Sequence, residues 1–210
     1  MMRAKVLAIG LDGAPPEIIF RAARKSFLPN ISKLMAKGFY NPLKSTIPPS
    51  TCPAWTSSVT GVNIHKHGIY DFFLSADLER KRLFFADSKK RRVKAIWSIL
   101  NAEGKKAIVI NVPVTFPPEK INGVMVSGLL TPPKANFVLP IEAKKFLKGY
   151  KMEHLLIDDL PIRIASYYQP EKVFNLLISW IDARTKAFIN LLKNYEWDFS
   201  MLVYRATDLA

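Results

Sequence analysis

The sequence predicts an α/β fold with a mostly parallel sheet flanked by helices, and three observations carry that expectation. Short apolar runs end abruptly in polar or turn residues at about Lys5 to Leu11, Ala107 to Asn111, Gly123 to Val126 and Phe199 to Tyr204. Segments with helical spacing separate these runs, which is the alternation a parallel sheet requires. The chain has 210 residues, 49% of them hydrophobic, enough to build one compact core. Residues 1–210 are therefore read as one domain, with an excursion at about 73–90.

Taken in order, the run Val6-Leu7-Ala8-Ile9 reads as a buried strand that stops before Asp12. Ile31 to Lys37 reads as a short helix with Leu34 and Met35 inward and Gly38 as its stop. Pro53 to Val59 starts with a proline suited to a first helical turn. Phe73 to Ala86 alternates weakly among charges and is expected to leave the sheet as an excursion or hairpin. Ser88 is positioned to cap a helix from about Lys89 to Glu103, ending near Gly104. In Val173 to Leu192, the residues Phe174, Leu177, Ile178, Ile181, Phe188, Leu191 and Leu192 mostly follow helical spacing, as in an amphipathic helix covering a sheet. Proline-rich stretches at Ile47 to Pro53, Val112 to Pro118 and Thr131 to Pro133 are short and are expected to shape loops over one rim.

Composition narrows the classes of function. A formal net charge of +14 favours an anionic ligand such as a nucleotide, a nucleic acid, a phospholipid head group or another phosphoester. The single cysteine, Cys52, excludes an intrachain disulfide and fits a reducing compartment. Its place beside Thr51 makes it a candidate handle for oxidation or alkylation. The first apolar run lacks a cleavage pattern, and Asp182, Arg184 and Lys186 interrupt the longest apolar segment, so neither a secretory signal nor a transmembrane helix is expected. The expected location is the cytoplasm.

Two positions stand out chemically. Asp12 falls at the carboxyl end of the first strand, where open α/β sheets place their site residues. Thr51 lies in Pro48-Pro49-Ser50-Thr51-Cys52-Pro53-Ala54-Trp55, at the start of a helical segment whose N-terminus favours an anion. The bland alternatives are a helix-capping Ser50 or Thr51, an ordinary Asp-Gly turn at Asp12-Gly13, and a capping role for Asp208.

These residues, with Val59-Thr60-Gly61 and His65-Lys66-His67-Gly68-Ile69-Tyr70-Asp71-Phe72, resemble the type I phosphodiesterase/nucleotide pyrophosphatase family of the alkaline phosphatase superfamily. Asn111-Val112-Pro113-Val114-Thr115-Phe116-Pro117-Pro118 and Ile121-Asn122-Gly123-Val124-Met125-Val126-Ser127-Gly128 resemble its archaeal and bacterial branch of predicted phosphohydrolases. The resemblance implies an alkaline-phosphatase-like fold and a two-metal site. Asp12 and Thr51 match the ligands of one metal, and Asp208, in Tyr204-Arg205-Ala206-Thr207-Asp208, matches a ligand of the other. The family's further histidine and aspartate ligands would fall beyond Ala210. The expectation is thus the N-terminal part of a domain, incomplete at its C-terminus and inactive by itself.

The implied chemistry is hydrolysis of phosphodiesters or nucleotide pyrophosphates, with Thr51 attacking phosphorus and a phosphothreonine then hydrolysed. The implied cofactors are two divalent ions, zinc first and manganese second, because an unassisted threonine hydroxyl is a weak nucleophile at neutral pH. His67 is assigned to loop structure and His65 to the surface. A sulfatase would need Cys-x-Pro-x-Arg; here Thr51 holds the nucleophile position and Trp55 replaces the arginine. The competing reading is a non-enzymatic module binding nucleic acid or another polyanion through Arg80, Lys81, Arg82, Lys89, Lys90, Arg91 and Arg92. A further reading is an inactive half-domain that keeps only the sheet.

Overall fold

The computed structural model describes residues 4–77, 79, 82–150, 152, 156–157 and 160–209. In chain order its elements are β1 (Val6–Leu11), α1 (Pro16–Arg24), α2 (Pro29–Lys37), α3 (Thr51–Thr60), α4 (Ile64–His67), β2 (Phe73–Asp77), β3 (Arg82–Phe85), α5 (Ile96–Ala102), β4 (Ala107–Val112), β5 (Gly123–Ser127), β6 (Val138–Leu139), β7 (Leu156–Ile157), β8 (Leu160–Pro161), α6 (Ile162–Tyr168), α7 (Pro170–Asn194), β9 (Phe199–Tyr204) and α8 (Ala206–Leu209). Short 3₁₀ turns lie at Ser88–Lys90 and Ile141–Phe146.

The main sheet has the order β1-β9-β4-β5-β6. Its first four strands are mutually parallel, and β6 runs antiparallel to β5. The expected mostly parallel α/β architecture is what forms. The last strand in sequence inserts between the first strand and β4, with Val6 opposite Phe199 and Leu11 opposite Tyr204. Two segments separated by most of the chain therefore end side by side.

Alternation along the strands builds two cores. Ile108, Ile110, Val124, Val126 and Leu202 face Ala187, Phe188 and Leu191 of α7. The opposite face sets Ala107, Val109, Met125, Met201 and Val203 against Val59 of α3 and Trp97 of α5. The Asn111 to Ser127 connection is tied to the strand ends: Thr115 Oγ1 donates to Val112 O at 2.6 Å, and Ser127 Oγ donates to Thr115 O at 3.0 Å. Segments β2 and β3 pair antiparallel in a separate two-stranded sheet.

Several local expectations differ from the structure. The first strand is an edge, not a buried strand: among the described residues it pairs only with β9, and Val6 and Ile9 are each 58% exposed. Leu34 is 72% exposed although it was expected inward, and only Met35 is partly covered. Gly38 does end α2, but in an extended conformation (φ −126°, ψ −175°) rather than a left-handed cap. The helix expected from Lys89 begins at Ile96. Its first turn would have placed Lys89, Lys90, Arg91 and Arg92 on the positive end of the helix dipole. Instead Asp87 accepts from the Lys90 amide, and Ser88 Oγ donates to Pro117 O at 2.6 Å rather than capping. On α7 the buried face is Val173, Leu177, Trp180, Arg184, Ala187, Phe188 and Leu191, leaving Phe174 and Ile178 exposed.

The contrast between edge and centre has a measurable consequence. Ile110→Ala, in the centre of the sheet, is expected to lower unfolding free energy in urea by about 2–5 kcal/mol. Ile9→Ala at the edge is expected to cost under about 1 kcal/mol. Equal losses would contradict the edge position of β1.

Candidate active site

The parallel pairing of β1 with β9 assembles the site. The Asp12 amide donates to Tyr204 O at 2.8 Å, carrying the ladder one residue past β1, and Thr207 Oγ1 donates to Asp12 O at 2.5 Å. Gly13 follows with φ +65°, turning the backbone against α8. A Cβ at Gly13 would lie 2.7 Å from Asp208 Oδ1 and 2.8 Å from Asp208 Cα, so only glycine lets the two strand ends approach this closely.

Thr51 is the first residue of α3. Its neighbour Ser50 occupies the N-cap without a side-chain capping bond, so the capping alternative is not what Ser50 does here. Thr51 Oγ1 instead donates to Asp12 Oδ2 at 3.3 Å. One turn later Trp55 Nε1 donates to Asp12 Oδ1 at 2.8 Å. Arg205, itself buried, donates from Nε to Asp12 Oδ2 at 3.4 Å, and its Nη2 lies 3.8 Å from Asp208 Oδ2. Asp12, Thr51 and Asp208 thus come together from three segments, with a guanidinium spanning both carboxylates.

The distances rank these contacts. Tight charge-assisted N–H···O bonds fall at about 2.7–2.9 Å, a length the Trp55 contact meets and the Arg205 contacts exceed. Arg205 therefore balances charge without clamping either carboxylate. The convergent donors are all oxygen, the atom type that magnesium and manganese favour and zinc accepts, and they already gather around a positive group. In charge and chemistry they fit part of a metal site. Among the described residues, no cluster of three or more His, Cys, Asp or Glu side chains is positioned to hold a metal, whereas catalytic zinc usually has about three protein ligands.

The neighbouring groups take other roles. Cys52 is completely buried, and that burial pushes its thiol up to about 12; Arg205 partly opposes the shift, while Asp71 and Asp12 add to it. This corrects the expectation of a reactive handle. His67 is also fully buried, while His65 is exposed. The Ile69 amide donates to His67 Nδ1 at 3.1 Å, so the neutral ring carries its proton on Nε2 and donates it to Ser57 Oγ at 2.9 Å. Ser57 and His67 are thus a structural tie between α3 and α4 rather than a nucleophile and its base. Burial, then Arg91 and His65, lowers the His67 pKa from its ordinary value.

The basic run is divided. Arg80 and Lys81 lie outside the described residues, as does the Arg82 side chain. Arg91 turns inward to donate from Nη2 to both Glu119 oxygens at 2.8 Å, while Lys89, Lys90 and Arg92 stay exposed. Among the described residues no helix is long and apolar enough to cross a membrane.

Sequence reasoning missed Arg205 and Trp55. Arg205 directly follows an apolar strand and precedes Asp208 by three residues, and Trp55 follows Thr51 by four, a spacing that shares a helix face. Both spacings were visible; the shared target, Asp12, was not.

This fold and the strand-end position of its acidic residues define a parallel-sheet α/β protein with a candidate site at the carboxyl ends of two adjacent strands. The chain belongs to the type I phosphodiesterase/nucleotide pyrophosphatase family, whose sequence profile matches residues 6–210. Its fold is shared by phosphonoacetate hydrolase from Sinorhizobium meliloti. The complex with phosphonoacetate superimposes with a TM-score of 0.62 at 17% identity, covering 98% of this chain and 47% of that one. The phosphonoformate complex gives a TM-score of 0.64 at 18% identity with the same coverages. The chain thus spans about half the length of these structures. No curated protein is similar enough to count as a relative.

Two outcomes follow. Native Cys52 should resist iodoacetamide at pH 8 and react once the protein is unfolded in urea; rapid native labelling, read by mass spectrometry, would contradict its burial. Because the folded pKa of His67 is depressed, its contribution to stability is complete above about pH 6.5, its ordinary value, and is lost as pH falls through the lowered native value. Urea midpoints should therefore fall on acidification below that pH, and less steeply in His67→Gln; identical slopes would contradict this assignment.

Proposed function

We propose that the protein is a metal-dependent phosphohydrolase acting on phosphodiesters or nucleotide pyrophosphates, with Thr51 as its nucleophile. The observation that carries this reading is the convergence of Thr51, Asp12 and Asp208 at adjacent strand ends in a chain of this family. Thr51 Oγ1 directs its proton at Asp12 Oδ2, leaving oxygen lone pairs for an electrophile. The Thr51 and Cys52 amides precede the first α3 backbone bond, Ala54 N–H to Ser50 O at 3.0 Å, and favour an anionic phosphoryl group at this helix end.

Asp12, Thr51 and Asp208 are the residues that would hold divalent metal, zinc first and manganese second. Bound there, such ions would lower the pKa of the threonine hydroxyl and offset charge on phosphate oxygens. In the transfer, a bond forms between Thr51 Oγ1 and phosphorus as the bond from phosphorus to the leaving oxygen breaks, and the hydroxyl proton is passed on to the leaving group or solvent. Water then attacks phosphorus, the bond from Oγ1 to phosphorus breaks, and a proton from that water restores the hydroxyl. A polyanion-binding module is the weaker reading, since the inward turn of Arg91 divides the basic run.

Thr51→Ala in the full-length gene product should reduce hydrolysis of bis(p-nitrophenyl) phosphate to background, while at saturating metal the carboxylates of Asp12 and Asp208 keep bound metal, measured by atomic emission, largely unchanged. Retained turnover would remove Thr51 as the nucleophile.

A further inference from the structure

We infer that Trp55 is a positioning residue whose indole N–H, seated over Gly10, holds Asp12 Oδ1 so that Oδ2 faces Thr51. The inference rests on the reading of Asp12 as a metal ligand and assigns the group that orients it. Asp12 receives side-chain hydrogen bonds from Trp55, Thr51 and Arg205, and that from Trp55 is the shortest at 2.8 Å, against 3.3 Å and 3.4 Å. The oxygens are divided accordingly. Oδ1 is taken by Trp55, and Oδ2 is shared by the threonine and the guanidinium.

The donor type matters. An indole N–H can only donate, and it carries no charge. It therefore fixes the rotation of the carboxylate while leaving its negative charge to attract a cation. Arg205 also donates to Asp12, but it neutralises as it does so. Residues that hydrogen-bond to metal-ligating side chains commonly change metal affinity by about 10–100-fold, and Trp55 is placed to act in that way.

The backbone is shaped for this ring. Gly10 lies two residues before Asp12 on β1, and a Cβ there would sit 2.2 Å from Trp55 Cη2 and 2.9 Å from Cζ3. The indole thus lies directly on the β1 main chain, next to an apolar hollow also lined by Ala8, Val59, Phe199 and Met201. Thr51 and Trp55 are four residues apart on α3, so one rigid helix face carries both the proposed nucleophile and the group that aligns its carboxylate partner.

The test has two independent readouts on the full-length protein. First, the Trp55 indole resonance is assigned in a ¹⁵N–¹H spectrum by its loss in Trp55→Phe, or by site-specific labelling should that variant not fold, and is then followed in Asp12→Asn. The expected result is an upfield proton shift as the charged acceptor is lost; an unmoved resonance overturns the inference. Second, Mn²⁺ affinity is measured by calorimetry in wild type and Trp55→Phe, with Gly10→Ala as a variant that displaces the ring and leaves the indole intact. About 10–100-fold weaker binding with an unchanged circular dichroism spectrum is expected, and wild-type affinity in both variants overturns the inference. If the wild type binds no Mn²⁺, the metal reading fails, and the indole response alone upholds or overturns the role of Trp55.

Discussion

The buried carboxylate of Asp12 is the constraint around which the rest of the site is arranged. An ionised carboxylate out of water costs several kcal/mol unless donors and a counter-charge surround it. Here the donors come from two directions: α3 supplies Thr51 and Trp55, and the residue directly after β9 supplies Arg205. Satisfying one carboxylate therefore fixes α3 against β1 and joins the N-terminal strand to the last strand in sequence. The same geometry brings Asp208 to the other end of the Arg205 guanidinium.

That arrangement depends on chain order in the sheet. Because β9 inserts between β1 and β4, the strand ends that carry Asp12 and Arg205 are nearest neighbours. Both faces of the interior strands are covered, one by α7 and the other by α3 and α5, which makes the frame behind the site rigid. The edge of β1 that no described strand pairs with differs. Its apolar side chains remain largely exposed, and the chain spans about half of the phosphonoacetate hydrolase structures whose fold it shares. The site lies at the carboxyl ends of β1 and β9, where the edge strand meets its neighbour.

Much of the frame was legible in the sequence because parallel-sheet strands read as compact apolar runs. The Phe199 to Tyr204 run matches its strand end for end, and the other three agree to within a residue. The expected positions of Asp12, Thr51 and Asp208 share one region, since strand-end and helix-start placement follow from local pattern. What local pattern missed was decided by distant partners. Lys89 to Ala95 has helical composition but lies outside α5, with Arg91 paired to Glu119. The exposure of β1 depends on its having, among the described residues, one neighbouring strand rather than two. Trp55 and Arg205 matter because both reach Asp12, a coincidence that exists only in three dimensions. Cys52 was misread for the same reason, since nothing next to it in sequence reveals how deeply it is buried.

In the proposed function, Asp12 and Thr51 would hold one divalent ion and Asp208 would help hold the other, where the Arg205 guanidinium now reaches both carboxylates. Anomalous scattering from crystals of the full-length protein soaked in Mn²⁺ tests it most directly. The expected result is an anomalous peak within bonding distance of Asp12 Oδ2, with the Arg205 guanidinium moved away from the two carboxylates. Ordered Mn²⁺ elsewhere, with Arg205 still spanning Asp12 and Asp208 and no peak beside either carboxylate, would contradict the proposal.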